Sequence, residues 1–237
     1  MSLLDGQVAL VTGASRGIGR AVARALARHG AHVVALARTA GALEELDDEI
    51  RALGARATLV PLDLLDFAGI DRLGASLFER HGKLDILVGA AAELGPLSPL
   101  AHVKPEIFER TLALDLTANY RLIRSLDPLL RAADGARVLF LTGGVPEGAH
   151  AAYWGVYAAA KVGLEAMVRA YAAEVANTRM RVNLADPGPV RTALRARAFP
   201  GEDATKLPSP ESVAEALVAL VGPGETRSGE IVRLTPP

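Results

Sequence analysis

Residues Gln7–Thr12 form a short apolar run that breaks at Gly13-Ala14-Ser15-Arg16-Gly17-Ile18-Gly19 and then passes into a pattern with helical spacing. Few folds accept a strand, a glycine-rich turn and a helix in immediate succession. Gly13 permits a tight turn, Gly17 lets the main chain approach a phosphate, and Gly19 lets the helix pack closely on the strand. The helix start then offers free N–H groups and a partial positive charge to a pyrophosphate. Gly13, Ser15, Arg16, Gly17, Ile18 and Gly19 are therefore candidate nucleotide-binding positions. The G-x-x-x-G-x-G spacing differs from the G-x-G-x-x-G of the larger dinucleotide enzymes, and a merely structural turn is the competing reading.

The rest of the chain repeats the alternation. Strand-length apolar runs occur at Gln7–Thr12, His32–Ala37, Ala57–Leu62, Leu84–Val88, Ala136–Thr142, Met180–Ala185 and Glu230–Leu234. Helical patterns occupy Gly17–His29, Gly41–Leu53, Phe67–Arg80, Pro105–Arg131, Ala151–Asn177 and Pro210–Val221. Several apolar runs are continuous, as expected of strands covered on both faces. Short connections between alternating elements predict an α/β fold: one doubly wound Rossmann-type domain spanning 1–237, with a seven-stranded parallel sheet and helices on both faces. A length of 237 residues suits one such domain, and apolar residues make up 50% of it. Aromatics are only 4%, so the expected core is Ala, Val and Leu. The irregular Pro- and Arg-rich stretch 187–208 reads as a lid or substrate loop, or as a surface excursion.

Composition excludes several classes. A formal net charge of −1 argues against nucleic-acid binding. The absence of cysteine excludes disulfides and thiolate chemistry. Histidines 29, 32, 81, 102 and 150 show no metal-ligand spacing, so no metal site is expected. With no signal peptide or membrane span visible, the expected location is cytoplasmic.

The end of the second strand bears on the cofactor. A carboxylate there would bind a ribose 2′-hydroxyl and favour NAD. The chain instead reads Ala37-Arg38, with no acid before Glu44. Arg38 and Arg16 can both pair with a 2′-phosphate, which favours NADP, with NAD as the alternative. Asp63 and Leu64 end the third strand and are grouped with the cofactor positions. Asp63 either accepts from the adenine amino group or caps the next segment.

About 140 residues after the glycine turn stands Tyr157-Ala158-Ala159-Ala160-Lys161. On a helix these two side chains share a face. A phenol ionises near pH 10. A neighbouring ammonium, with a cationic nicotinamide, favours the phenolate and lowers that value. Tyr157 is thus a candidate proton donor to a carbonyl, or acceptor from an alcohol, during hydride transfer.

With TGxxxGIG and YxxxK in place, the chain resembles the short-chain dehydrogenases/reductases over nearly its whole length. Leu84–Val88, Arg181-Val182-Asn183 and the Pro187–Thr192 stretch agree with this resemblance. It implies an NADP(H)-dependent oxidoreductase acting on a small carbonyl/alcohol substrate. By the same resemblance Tyr157 is the acid/base, and Lys161 tunes it and holds the nicotinamide ribose. Pro187, Gly188, Val190 and Thr192 contact the nicotinamide, and Ala90 and Ala91 line the adenosine side. Long Ala/Leu-rich helices whose family counterparts pack across a two-fold axis imply a homodimer or homotetramer.

Three positions depart from the family pattern. Gly89-Ala90-Ala91-Ala92 replaces Asn-Asn-Ala-Gly. Asp115 stands where a helix asparagine helps hold a proton-relay water. Gly144, thirteen residues before Tyr157, stands where a serine donates to the substrate oxygen. Thr142, His150 and Tyr153 are candidates for the replacement donor. Arg191, Arg195 and Arg197 suggest either an anionic substrate or a solvated lid face. These departures leave a second reading open, a nucleotide-binding sensor or scaffold with little turnover.

Overall fold

The computed structural model describes residues 2–145 and 151–234. Seven strands form one parallel sheet: β1 (Val8–Thr12), β2 (His32–Ala37), β3 (Ala57–Pro61), β4 (Ile86–Gly89), β5 (Arg137–Leu141), β6 (Arg181–Asp186) and β7 (Ile231–Arg233). Their order is β3-β2-β1-β4-β5-β6-β7. Among the described residues, eight α-helices connect or cover them: α1 (Gly17–Arg28), α2 (Ala40–Ala52), α3 (Phe67–His81), α4 (Pro105–Leu112), α5 (Ala118–Ala132), α6 (Gly155–Glu174), α7 (Ala193–Ala198) and α8 (Pro210–Ala219). The doubly wound architecture is the one expected from the sequence.

The strands alternate between two cores. Ala9, Val11, Val33, Ala35, Ile86, Val88 and Leu139 pack with α1, α2 and α8. Their neighbours Leu10, Val34, Leu36, Leu87, Val138 and Phe140 pack with α3, α5 and α6. With both faces covered, the strand sequences need no polar alternation. Helix ends follow their local chemistry. The Asp66 carboxylate accepts from the Gly69 amide at the start of α3, and Ser209 accepts from Ser212 where Pro210 opens α8.

Two segments differ from expectation. The single helix expected over 105–131 is interrupted by a π-turn at Ala113–Thr117, between α4 and α5. The irregular stretch 187–208 contains α7 and a short 3₁₀ turn at Ala204–Lys206. Among the described residues, no helix is long and apolar enough to cross a membrane, and no group of three or more His, Cys, Asp or Glu is arranged to hold a metal.

Candidate active site

The sheet order reverses between β1 and β4, and there the carboxyl ends of β1, β4, β5 and β6 border a cleft of about 520 Å³. Gly13 lies against the main chain of Ala91, where an added Cβ would sit 2.9 Å from both its N and Cα. The Thr12 hydroxyl fixes that approach by accepting from the amides of Ala90 and Ala91, at 3.1 and 3.2 Å. Gly89 leaves no room for the family's asparagine, because the ring of Phe140 occupies the space a Cβ would take.

The sequence-chosen nucleotide positions all line this one cleft: Gly13, Ser15, Arg16, Gly17, Ile18, Gly19, Arg38, Asp63, Leu64, Ala90, Ala91, Pro187, Gly188, Val190 and Thr192. Arg16 and Arg38 are exposed at its rim. Arg38 lies 4.0 Å from Asp63, and Arg16 has no ion-pair partner among the described residues. The other oxygen of Asp63 accepts from the Leu65 amide at 3.0 Å, the capping role. Thr192 caps α7 by accepting from the Arg195 amide, which leaves its hydroxyl proton free to donate into the cleft.

Tyr157 and Lys161 lie further along the same cleft on α6, both largely buried. The Lys161 ammonium sits 5.5 Å from the Tyr157 ring centroid and donates to the Leu141 carbonyl at 3.1 Å. Burial raises the Tyr157 phenol above its usual range. Lys161 opposes that rise, while Asp115 and Asp186 add to it. The expected lowering by Lys161 is thus present but outweighed in the protein alone.

A Cβ added at Gly144 would lie 3.9 Å from the Tyr157 hydroxyl. The candidate replacement donors fare poorly. Thr142 lines the cleft but gives its hydroxyl proton to the Glu165 carboxylate at 2.6 Å. A hydroxyl has one proton to give. The Tyr153 side chain is 59% exposed and does not line the cleft. Its φ of +73° turns the chain there, and its carbonyl accepts from the Ser98 amide. His150 lies outside the described residues.

Asp115, grouped with the catalytic residues from the sequence, is not on the cleft wall. It lies fully buried in the π-turn, where Oδ1 accepts from the Glu93 amide at 2.9 Å and its carbonyl accepts from Asn119 at 2.7 Å. Burial raises its carboxyl to about 6, with Lys161 pulling the other way.

The wall over Tyr157 was not foreseen. Trp154 stands edge-on to Tyr157 with ring centres 6.0 Å apart, and Phe199 lies 5.6 Å from Trp154. The Arg195 guanidinium stacks 3.6 Å over Phe199 and is held there by a two-pronged pair with Glu202, at 2.6 and 2.7 Å. Arg195 is thereby neutralised, and Arg191 lies away from the cleft, which leaves Arg197 as the one member of that trio free in the cleft lining. The wall links residues 45 positions apart; only the spacing of Trp154, three before Tyr157, hinted at it in the sequence.

A family model for short chain dehydrogenases matches residues 7–203. The uncharacterized oxidoreductase YciK of Escherichia coli K12 is 34% identical over 228 residues, spanning 95% of this chain and 90% of that protein. A short chain dehydrogenase structure from Salmonella enterica serovar Typhi CT18 has a TM-score of 0.93 at 31% identity, covering 98% of this chain and 97% of that one. A protein assigned to the same class from Escherichia coli CFT073, solved complexed with NADPH, has a TM-score of 0.92 at 33% identity, covering 98% of each chain. Matches of this extent, over a glycine turn and a Tyr157–Lys161 pair that share one cleft, settle the kinship: the chain belongs to the short chain dehydrogenase family.

Proposed function

We propose that this protein is an NADP(H)-dependent oxidoreductase that moves a hydride between nicotinamide and a small carbonyl/alcohol substrate. The observation that carries the reading is the continuity of the cleft, which runs from the glycine turn to the Tyr157 hydroxyl. The donor set fits a phosphorylated dinucleotide. The glycine turn presents main-chain N–H groups at the start of α1, and two exposed arginines flank it with no acid at the end of β2. The related protein solved with NADPH supports the same choice.

When bound, the nicotinamide supplies or accepts the hydride. Tyr157 supplies the proton to the carbonyl oxygen in reduction and receives it in oxidation. Lys161, anchored on the Leu141 carbonyl, keeps a positive charge beside the phenol and has donors left for a ribose hydroxyl. Trp154, Phe199 and Leu94 exclude water from one side of the reacting centre. The segment 187–208 serves as the lid over that centre. Exposed Ile107, Tyr120 and Val162 on the α4–α6 face support a homodimer or homotetramer.

A second reading, nucleotide binding with little turnover, is favoured by Gly144 and by the commitment of Thr142 to Glu165. One experiment separates them. NADPH is titrated into the protein and into Tyr157→Phe, and turnover of a ketone and aldehyde panel follows. The enzyme reading expects binding in both and turnover in the parent alone. Binding without turnover in either would overturn it.

A further inference from the structure

The charges around Tyr157 are unusual for a phenol that must also ionise. Among the described residues, Lys161 is the cation beside it, reaching back from the next turn of α6. Two carboxylates oppose that cation. Asp115 lies in the π-turn, which packs on α6 where the Leu116 side chain meets Gly163; it is fully buried, its Oδ2 lacks any hydrogen-bond partner, and its charge acts on both Lys161 and Tyr157. Asp186 lies at the end of β6, where its carboxylate fills the space a Gly143 side chain would need, accepts from the Gly188 amide at 3.0 Å and adds its charge to the surroundings of Tyr157. Two further acids stand behind these. Glu93 is paired with Arg110 at 3.4 Å, and Glu165 accepts from Thr142. A buried carboxylate with an unsatisfied oxygen is costly, and this one acts electrostatically on Tyr157 and Lys161.

We propose that Asp115, assisted by Asp186, is a positioning residue that offsets the Lys161 charge and holds Tyr157 as a neutral phenol, fitting the site to carbonyl reduction rather than alcohol oxidation. This rests on the reading of Tyr157 as the acid/base. In reduction the carbonyl carbon receives the hydride of a dihydronicotinamide, which is oxidised. The carbonyl oxygen takes the Tyr157 proton, and the phenolate left behind is reprotonated from solvent. Hydride addition with proton donation begins from the phenol. Oxidation begins from the phenolate, which a negative charge at 115 disfavours. The overall equilibrium is unchanged; what moves is the pH range in which each direction runs.

The test is a near-ultraviolet phenolate titration of the cofactor-free protein, with the Tyr157→Phe curve subtracted to isolate Tyr157. Asp115→Asn, a near-isostere, is expected to lower the Tyr157 midpoint by about one pH unit, the effect of removing one buried charge at moderate separation. Asp186→Asn is expected to lower it by less, and the two together by more. The rising limb of alcohol oxidation with NADP, on which the phenolate forms, should move to lower pH by the same amount as the midpoint. An unmoved midpoint in a folded Asp115→Asn protein overturns the proposal. Should that variant fail to fold, an unmoved midpoint in Asp186→Asn does so. Carbonyl turnover that survives Tyr157→Phe, with the midpoint shift intact, would instead sink the acid/base reading and leave the electrostatic one standing.

Discussion

Replacing Asp115 by Asn measures what a charge costs inside this fold. The side chain is fully buried, and burial raises its carboxyl from the ordinary 3.8 to about 6, against the pull of Lys161. A carboxyl raised in the folded state holds its proton more tightly there than in the unfolded chain. The resulting stabilisation is complete below about pH 4 and is lost as pH rises through about 6. One pKa unit corresponds to about 1.4 kcal/mol. At pH 7.5 the ionised carboxylate therefore costs about 3 kcal/mol relative to its neutral form. Asn is neutral throughout. Its Oδ1 keeps the bond from the Glu93 amide, while its NH₂ meets the position where Oδ2 lacks a partner. That second cost is the same at every pH. The variant-minus-parent stability should thus be about 2–3 kcal/mol more favourable at pH 7.5 than at pH 4. For a chain of this size this corresponds to roughly 4–12 °C in Tm. Urea melts or calorimetry of both proteins at the two pH values make the comparison. Parallel curves, with the same difference at pH 4 and 7.5, would refute the account of a buried, titrating Asp115.

Arg38→Asp should weaken NADPH binding by about 10- to 100-fold, the loss of charge-assisted hydrogen bonds to a 2′-phosphate, while NADH binding holds or improves. Unchanged selectivity in paired fluorescence titrations would remove Arg38 from that role. Gly144→Ser should place a hydroxyl beside Tyr157 and raise carbonyl turnover toward the 10²–10³ that one preorganised donor contributes. The same change should lower stability by about 1–2 kcal/mol, because Gly144 sits at φ +80°. A lowered Tm with no gain in rate would show that the substrate oxygen lies elsewhere.

The strands and helices were legible because each carries its own period or its own continuous apolar run, and because the Gly13–Gly19 turn fixes the first crossover. The π-turn was not legible. Its residues, Ala113-Leu114-Asp115-Leu116-Thr117, contain neither Gly nor Pro and match an ordinary helix. What marks the turn is one tertiary bond, the Glu93 amide on the Asp115 carboxylate, together with a local one, the Asn119 side chain on the Asp115 carbonyl. The short α7 escaped because six residues are too few to show a period, although its Thr192 cap was in view. The glycine turn and the Tyr157–Lys161 pair could be picked out as cleft-lining positions because glycine turns and i, i+4 pairs act locally. Where Thr142 and Tyr153 point depends on partners far along the chain, Glu165 in one case and the Ser98 loop in the other.

Gly144 shows how far a single-position reading can mislead. In the sequence it is a missing serine. In the structure it follows Gly143, and both adopt left-handed angles, φ +84° and +80°. Side chains rarely tolerate such angles. The Asp186 carboxylate packs where a Gly143 side chain would go. The three residues therefore constrain one another. Asp186 needs a glycine at 143, and the left-handed path through 143 and 144 disfavours a serine at the second position. The same Asp186 adds its negative charge to the surroundings of Tyr157. The corner after β5 is thus built as a unit, and a glycine at 144 and a carboxylate near the phenol belong to one packing arrangement.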